Sequence, residues 1–247
     1  MLHKFYSGTS GLMLPVTQSF YPPGFQGQSR LNYYAFLNNS IEINSSFYKI
    51  PKAVTVKNWS ESVGRNFRFT FKLLKDITHA KELNYNVADV ELFMQTISGV
   101  GDKKGCLLIQ LPPKLKFEYY NQLESLLKDI RQYTKEQEWK IAIEFRNSSW
   151  YVGETYELFK HHNAAMVIHD IPASATPFTD LKSNFKYLRF HGPGGKYRGS
   201  YTDDFLEPYA ASVNDWLKEK KEVFVYFNNT MGDALKNLNT LKMLVQS

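Results

Sequence analysis

Eight short runs rich in β-branched and aromatic residues recur along this chain, at residues 4–7, 40–44, 67–73, 106–110, 140–145, 165–169, 185–191 and 223–227. Their starts are spaced by roughly 31 residues, the size of one βα unit. Most of the gaps carry a helical pattern. Tyr119, Leu123, Leu126, Leu127, Ile130 and Tyr133 share one face of a helical period, and so do Met231, Leu235, Leu238 and Leu241. Tyr209, Val213, Trp216 and Leu217 mark a third face, with Pro208 suited to its first turn. Weaker helical stretches lie at 31–37, 53–62, 87–97 and 155–161. The gap at 171–184 is rich in Ser, Thr, Ala and Pro and reads as loop in place of a helix. Strands alternating with helices over 247 residues predict an α/β chain folded as a (β/α)8 TIM barrel, which runs at about 250 residues as one domain. Residues 9–30 form an irregular cap after the first strand. A doubly wound open sheet is the runner-up, because spacing alone does not separate the two.

Strand parity sorts the polar residues. Successive side chains of a strand point to opposite faces. Ile41 and Ile43 oppose Glu42 and Asn44; Phe67, Phe69 and Phe71 oppose Arg68, Thr70 and Lys72. Ile141, Ile143 and Phe145 oppose Glu144 and Arg146; Leu188 and Phe190 oppose Arg189 and His191; Val225 and Phe227 oppose Tyr226 and Asn228. In a barrel the apolar row faces the helices, so the polar row points inward, toward the C-terminal strand ends where barrel sites lie. Gln110 obeys the same rule, and at the sixth strand either His169 or Asp170 is the inward residue. The plainer alternatives are an antiparallel sheet with one wet face, which the long helical gaps oppose, and buried ion pairs that only staple the barrel.

Several of these residues form a pattern. Gly8-Thr9-Ser10-Gly11 and Phe20-Tyr21-Pro22 are followed by Ile41-Glu42-Ile43-Asn44-Ser45-Ser46-Phe47-Tyr48, then Phe69 to Lys72 with Thr78-His79, and Gln110-Leu111-Pro112-Pro113. Glu144-Phe145-Arg146 with Trp150, Asp170 with Pro172, Arg189-Phe190-His191-Gly192 and Tyr226-Phe227-Asn228-Asn229 complete it. The chain resembles the YecE-like family, domain of unknown function 72 (DUF72), over nearly its whole length and in the expected order. The resemblance implies a TIM barrel and lends no established activity. It also shows a departure: family members usually carry Trp after the first Gly-Thr-Ser-Gly and another aromatic before Phe-Tyr-Pro, where this chain has Leu12 to Ser19.

Composition bounds what such a barrel does. Hydrophobic residues are 43% and charged residues 22%, an ordinary globular balance. A net charge of +6 suits an anionic ligand and falls short of a nucleic-acid footprint. The single Cys106 excludes a disulfide framework and is expected in the core; with no apolar leader at 1–8 it points to the cytoplasm. No stretch approaches the roughly 20 apolar residues of a membrane span. The loop Gly192-Pro193-Gly194-Gly195-Lys196-Tyr197-Arg198-Gly199 offers backbone N–H groups and two cations to an anion, but is not a P-loop, because the first glycine of that motif would fall at Phe190.

The expected reading is an enzyme acting on a small anionic, phosphate- or carboxylate-bearing substrate. Glu42, Glu144, Asp170 and His191 would transfer protons; Asn44, Tyr48, Lys72, Gln110, Arg146, Arg189, Lys196, Arg198 and Asn228 would bind substrate. Arg146, two residues along from Glu144, should keep that carboxyl ionised, whereas Glu42 has no cation beside it in sequence and is the candidate for the protonated partner. No metal or other cofactor is expected, since His-x-x-x-His and His-Glu-x-x-His spacings are absent and the inward cations Arg68, Lys72, Arg146 and Arg189 outnumber the carboxylates. The alternative is a nucleic-acid-binding barrel or metal-dependent phosphodiesterase, with Tyr197, Tyr201, Phe20 and Tyr21 stacking bases. Oligomeric state is left open.

Overall fold

All eight β-rich runs are strands, and every pairing between them is parallel. The computed structural model describes residues 4–134, 139–177 and 183–246. The strands are β1 Phe5–Thr9, β2 Ser40–Ile43, β3 Arg68–Lys72, β4 Lys104–Gln110, β5 Lys140–Glu144, β6 Ala164–His169, β7 Phe185–Phe190 and β8 Glu222–Phe227. The helices are α1 Arg30–Leu37, α2 Ala53–Glu61, the single turn α3 Lys75–Thr78, α4 Val87–Ile97, α5 Tyr120–Gln132, α6 Gly153–His161, α7 Asp203–Lys218 and α8 Ala234–Gln246. No helix follows β6 among the described residues; residues 178–182 of the expected loop at 171–184 lie outside them. Among the described residues no helix is long and apolar enough to cross a membrane.

Two helix details differ from the periodic reading. Pro208 lies inside α7, past its first turn, because Thr202 caps the helix earlier by accepting from the Phe205 N–H, with Asp203 and Asp204 in the first turn. Met231 is exposed in the turn before α8 rather than on its buried face, which Ala234, Leu238, Leu241 and Val245 form.

The ladder runs β1-β8-β7-β6-β5-β4-β3-β2, which leaves one seam between β1 and β2. There the backbone ladder shrinks to a bridge between Ser10 and Glu42, with the Gly11 N–H donating to the Glu42 carbonyl at 2.8 Å. Side chains do the rest. The Asn39 amide accepts from the Ser7 N–H at 2.9 Å and donates to the Phe5 carbonyl at 2.7 Å. The buried Tyr34 hydroxyl accepts from the Thr9 N–H at 2.8 Å and donates to the Ser40 carbonyl at 3.2 Å. Strand β1 can come this close only because residue 8 is glycine: a Cβ there would lie 2.0 Å from the Ser40 carbonyl oxygen.

The alternation puts the two faces where parity requires. Ile41, Ile43, Phe69, Phe71, Leu107, Ile109, Ile141 and Ile143 pack outward against the helices on one side of the barrel. Leu188, Phe190, Val223, Val225 and Phe227 do so on the other. Tyr6, Cys106, Leu108, Ala142, Val167, Tyr187, Phe224 and Tyr226 fill the interior, so the lumen is a packed core with layers rather than a pore. At its lower end Arg68 lies over the Tyr6 ring, 5.3 Å from the centroid, and Lys140 pairs with Glu222 at 2.9 Å. In the middle the Tyr226 hydroxyl bonds Ser40 Oγ at 2.5 Å and Thr70 Oγ1 at 2.8 Å. The charged layer sits above these tyrosines.

Candidate functional site

The C-terminal strand ends converge on Arg189, the centre of the charged layer. It is 1% exposed. Its Nε lies 3.1 Å from both Glu42 oxygens, and Nη2 donates to Glu42 Oε1 at 2.9 Å. Nη1 donates to Glu144 Oε2 at 3.1 Å and points at His191 Nε2 at 3.2 Å, while Nη2 reaches Asn44 Oδ1 at 3.4 Å. The Tyr187 hydroxyl donates to Glu42 Oε2 at 2.5 Å.

Glu42 has no cation beside it in sequence, yet the fold brings one to it. Its partner comes from β7, across the lumen and 147 positions away, and both its oxygens are occupied by donors. The expected excess of inward cations fails. Arg68 begins β3 and so sits at the opposite end of the lumen, donating to the Arg65 and Phe67 carbonyls at 3.0 Å. Lys72, Arg146 and Arg189 remain against Glu42, Glu144 and Asp170, so the layer is balanced.

Glu144 is fully buried and held between two guanidiniums: Arg146 Nε donates to Oε1 at 2.5 Å and Arg189 Nη1 to Oε2 at 3.1 Å. Burial alone would raise its pKa, but the charges of Arg189 and then Arg146 outweigh it and hold the carboxyl well below the usual range. The expectation of an ionised Glu144 agrees with this geometry.

His191 is tied on both sides. Its backbone N–H donates to Asp170 Oδ1 at 2.8 Å, and its Nδ1 lies 3.3 Å from the same oxygen. Nε2 faces Arg146 Nη2 and Arg189 Nη1, each at 3.2 Å. Two guanidinium donors on Nε2 assign the hydrogen to Nδ1, facing Asp170. Burial lowers the imidazole pKa, against the opposing pull of Glu144 and Asp170, so the ring is neutral. Asp170 Oδ2 accepts from the Tyr201 hydroxyl, which also accepts from the Gly192 N–H.

At β6 the parity question resolves into two roles. His169 has the lumen parity and is buried; its Nε2 donates to the Phe145 carbonyl at 2.9 Å and its Nδ1 accepts from the Ile171 N–H at 3.3 Å. Asp170, just past the strand, is the residue that meets His191.

Lys72 is 9% exposed, with Nζ 4.0 Å from the Phe47 ring centroid and donating to Gln110 Oε1 at 2.8 Å. Arg146 keeps 12% side-chain exposure, and its Nη1 lies 3.4 Å from the Tyr197 hydroxyl. Asn228 is buried at the end of β8 on the lumen parity, and its side chain makes no hydrogen bond to a described residue. Tyr48 is 77% exposed, edge-on to Phe47. Lys196 and Arg198 are exposed on the loop after β7. That loop is folded on itself: the Gly195 N–H donates to the Gly192 carbonyl at 2.7 Å and the Tyr197 N–H to the His191 carbonyl at 2.6 Å. Asn229 anchors it to α8, donating to the Gly199 carbonyl at 3.0 Å and Asn237 Oδ1 at 2.9 Å.

Two of the four rings expected to stack bases are unavailable: Tyr21 and Tyr201 are buried, one against Tyr33 and the other on Asp170. Sequence reasoning missed the roles of Ser10 and Tyr187, and set Tyr201 on the rim rather than on Asp170. Ser10 is buried, its Oγ has no hydrogen-bond partner among the described residues, and it continues the lumen parity of Tyr6 and Gly8. The Gly8-Thr9-Ser10-Gly11 motif was the signal that could have found it. Among the described residues no three His, Cys, Asp or Glu side chains converge as a metal-binding group.

Comparison with known proteins adds identity to this geometry. A family model described as "Protein of unknown function DUF72" matches residues 6–247. The UPF0759 protein YunF of Bacillus subtilis (strain 168) is 28% identical over 258 residues, covering 89% of this chain and 87% of its own. The crystal structure of a DUF72 family protein from Enterococcus faecalis V583 superimposes with a TM-score of 0.80 at 24% identity, over 98% of this chain and 96% of that one. A xylose isomerase domain containing protein from Salmonella typhimurium LT2 shares the fold at 11% identity, with a TM-score of 0.54 over 88% of this chain and 93% of that one.

Proposed function

We propose, from the premise that this chain belongs to the DUF72 family of proteins of unknown function, that it is an enzyme performing acid/base chemistry on a small anionic substrate at the C-terminal mouth of its barrel. The observation that carries this reading is the Asp170–His191–Arg146–Glu144 chain, in which a partly exposed guanidinium lies directly on a buried carboxylate and a neutral imidazole. An incoming phosphate or carboxylate competes for Arg146. As that guanidinium turns to the substrate, Glu144 Oε1 loses its donor and His191 Nε2 loses one of its two. Substrate binding therefore raises the basicity of the groups that remove a proton. The unpaired Ser10 Oγ and Asn228 amide supply polar contacts for orientation, and Lys196 and Arg198 draw anions to the rim.

The chemistry so described uses side chains alone. The reading places the enzyme in a reducing cytoplasm, supported by the buried free Cys106. It is tested by screening phosphate esters and small carboxylates for thermal stabilisation of the wild type and of Arg146→Ala. An anion that stabilises the first and not the second supports it. Stabilisation of both proteins alike, or of neither, removes Arg146 as the anion-sensing group.

A further inference from the structure

The charged layer allots its ion pairs unevenly. Glu42 and Glu144 go to Arg189, Glu144 is shared with Arg146, and Asp170 goes to His191 and Tyr201. Lys72 receives none: among the described residues no carboxylate oxygen lies within ion-pairing distance of its Nζ, whose hydrogen-bond acceptor is the neutral Gln110 amide. A lysine enclosed by an aromatic ring and an amide, with arginines nearby, has its ammonium form disfavoured by both desolvation and like charge. The one contact that favours a positive charge here is the Phe47 ring face, 4.0 Å from Nζ, and no carboxylate partner adds to it.

We infer that Lys72 is a nucleophile that forms an imine with a carbonyl-bearing carboxylate or phosphate substrate, its amine aimed into the mouth from the end of β3 between Phe47 and Gln110. The inference deepens the anion-site reading and rests on it, because the anionic group would sit on Arg146 while the carbonyl reaches Lys72. Burial, and next the charge of Arg189, bring the Lys72 pKa down to about 7, which agrees with an amine available near neutrality. The groups that act on it electrostatically are Arg189 and Arg146, which oppose its charge, and Glu144 and Glu42, which favour it; His79, beyond the Phe47 ring, feels it in turn.

In the step itself the ammonium first releases one proton. The Nζ lone pair then forms a bond to the carbonyl carbon, the C=O π pair moves to oxygen, and that oxygen takes up the released proton. The carbinolamine hydroxyl leaves as water after a second N–H proton is transferred to it. An iminium remains, so ammonium plus carbonyl becomes iminium plus one water, with no oxidant or reductant required. The iminium then serves as an electron sink for removal of a neighbouring proton by Glu144 or His191.

The test uses the intact wild-type protein with glyoxylate as probe and cyanoborohydride to fix any imine as carboxymethyl-lysine, followed by peptide mapping. Lys72 should be labelled on the order of 10²-fold faster than an exposed lysine such as Lys57, since far more of it is free amine near neutral pH. Glycolate, the same carboxylate without the carbonyl, should protect it. If glycolate binds and Lys72 is labelled no faster than Lys57, the imine is overturned while the anion site stands. If glycolate neither binds nor protects and labelling follows exposure alone, both readings fall.

Discussion

Asp170 holds His191 twice with one oxygen, accepting the backbone N–H at 2.8 Å and facing ring Nδ1 at 3.3 Å. The main-chain hydrogen bond thus holds the carboxylate in place beside the ring, independently of the ring's own contact. Asp170→Asn keeps an acceptor but removes the charge and confronts the Tyr201 hydroxyl with an N–H2 group. The expected result is a shift of His191 away from the single Nδ1–H tautomer, read from the ring nitrogen signals by NMR, with any proton-transfer activity falling by about 10²-fold or more. An unchanged tautomer in this variant would show that the arginines alone set it.

Arg189 is expected to behave as the keystone of the charged layer rather than as a dispensable substrate contact. Arg189→Ala leaves Glu42 and Glu144 buried without it, at a cost of about 3–5 kcal/mol or more. Glu144→Gln likewise leaves Arg146 without its carboxylate and removes one of the two carboxylates on Arg189, so it should lower the melting temperature as well as turnover. Arg146→Ala, at the partly exposed edge, should cost distinctly less. Denaturant unfolding of the three variants ranks them, and a wild-type midpoint for Arg189→Ala would refute the keystone role.

Acid should destabilise the fold through its buried imidazoles. Burial depresses the His169 pKa to about 4, against about 6.5 when unfolded. Between those values the unfolded chain binds more protons, so stability rises with pH and is lost as pH falls below about 6.5. At pH 5 the loss from His169 is about 2 kcal/mol. Its counterpart His79, also lowered to about 4, and His191 act in the same direction. His169→Gln, which keeps a donor for the Phe145 carbonyl, should flatten the fall in melting temperature between pH 7 and 5. An identical slope in wild type and variant would assign the acid sensitivity elsewhere.

Gly8→Ala should be among the most damaging single methyl additions, because the new Cβ has 2.0 Å to the Ser40 carbonyl oxygen where contact needs far more. A loss of at least about 3 kcal/mol is expected. Tyr34→Phe tests the same seam more gently, leaving the buried Thr9 N–H without its acceptor for about 1–3 kcal/mol. Chemical denaturation of both variants measures the two steps.

The barrel was legible because its two periods are local. Alternation along Ile141-Ala142-Ile143-Glu144 needs only the strand, and the leucines of α5 need only the helix. The face each polar residue occupies followed from the same alternation. Pairing across the lumen did not. Glu42 and Arg189 meet because closure of the barrel brings strands two and seven within reach across the lumen at a given register, which no local pattern encodes. The same blindness hid Tyr201, whose ring reads as a rim aromatic until the loop after β7 folds it back onto Asp170. It also assigned Arg68 to the mouth, since parity gives the face of a strand and says nothing of height along the barrel axis.

The seam between β1 and β2 has a further consequence. Elsewhere the sheet is continuous main chain, but here an asparagine amide and a tyrosine hydroxyl stand in for much of the ladder. Closed barrel and open sheet thus differ locally by a few side-chain contacts. Were they lost, two strand edges would be laid bare at once, each with unpaired N–H and C=O groups ready to accept a neighbour. Failure at this point would therefore not end in a loose monomer. It would bring chains together edge to edge, making this hinge of the fold also its guard against self-association.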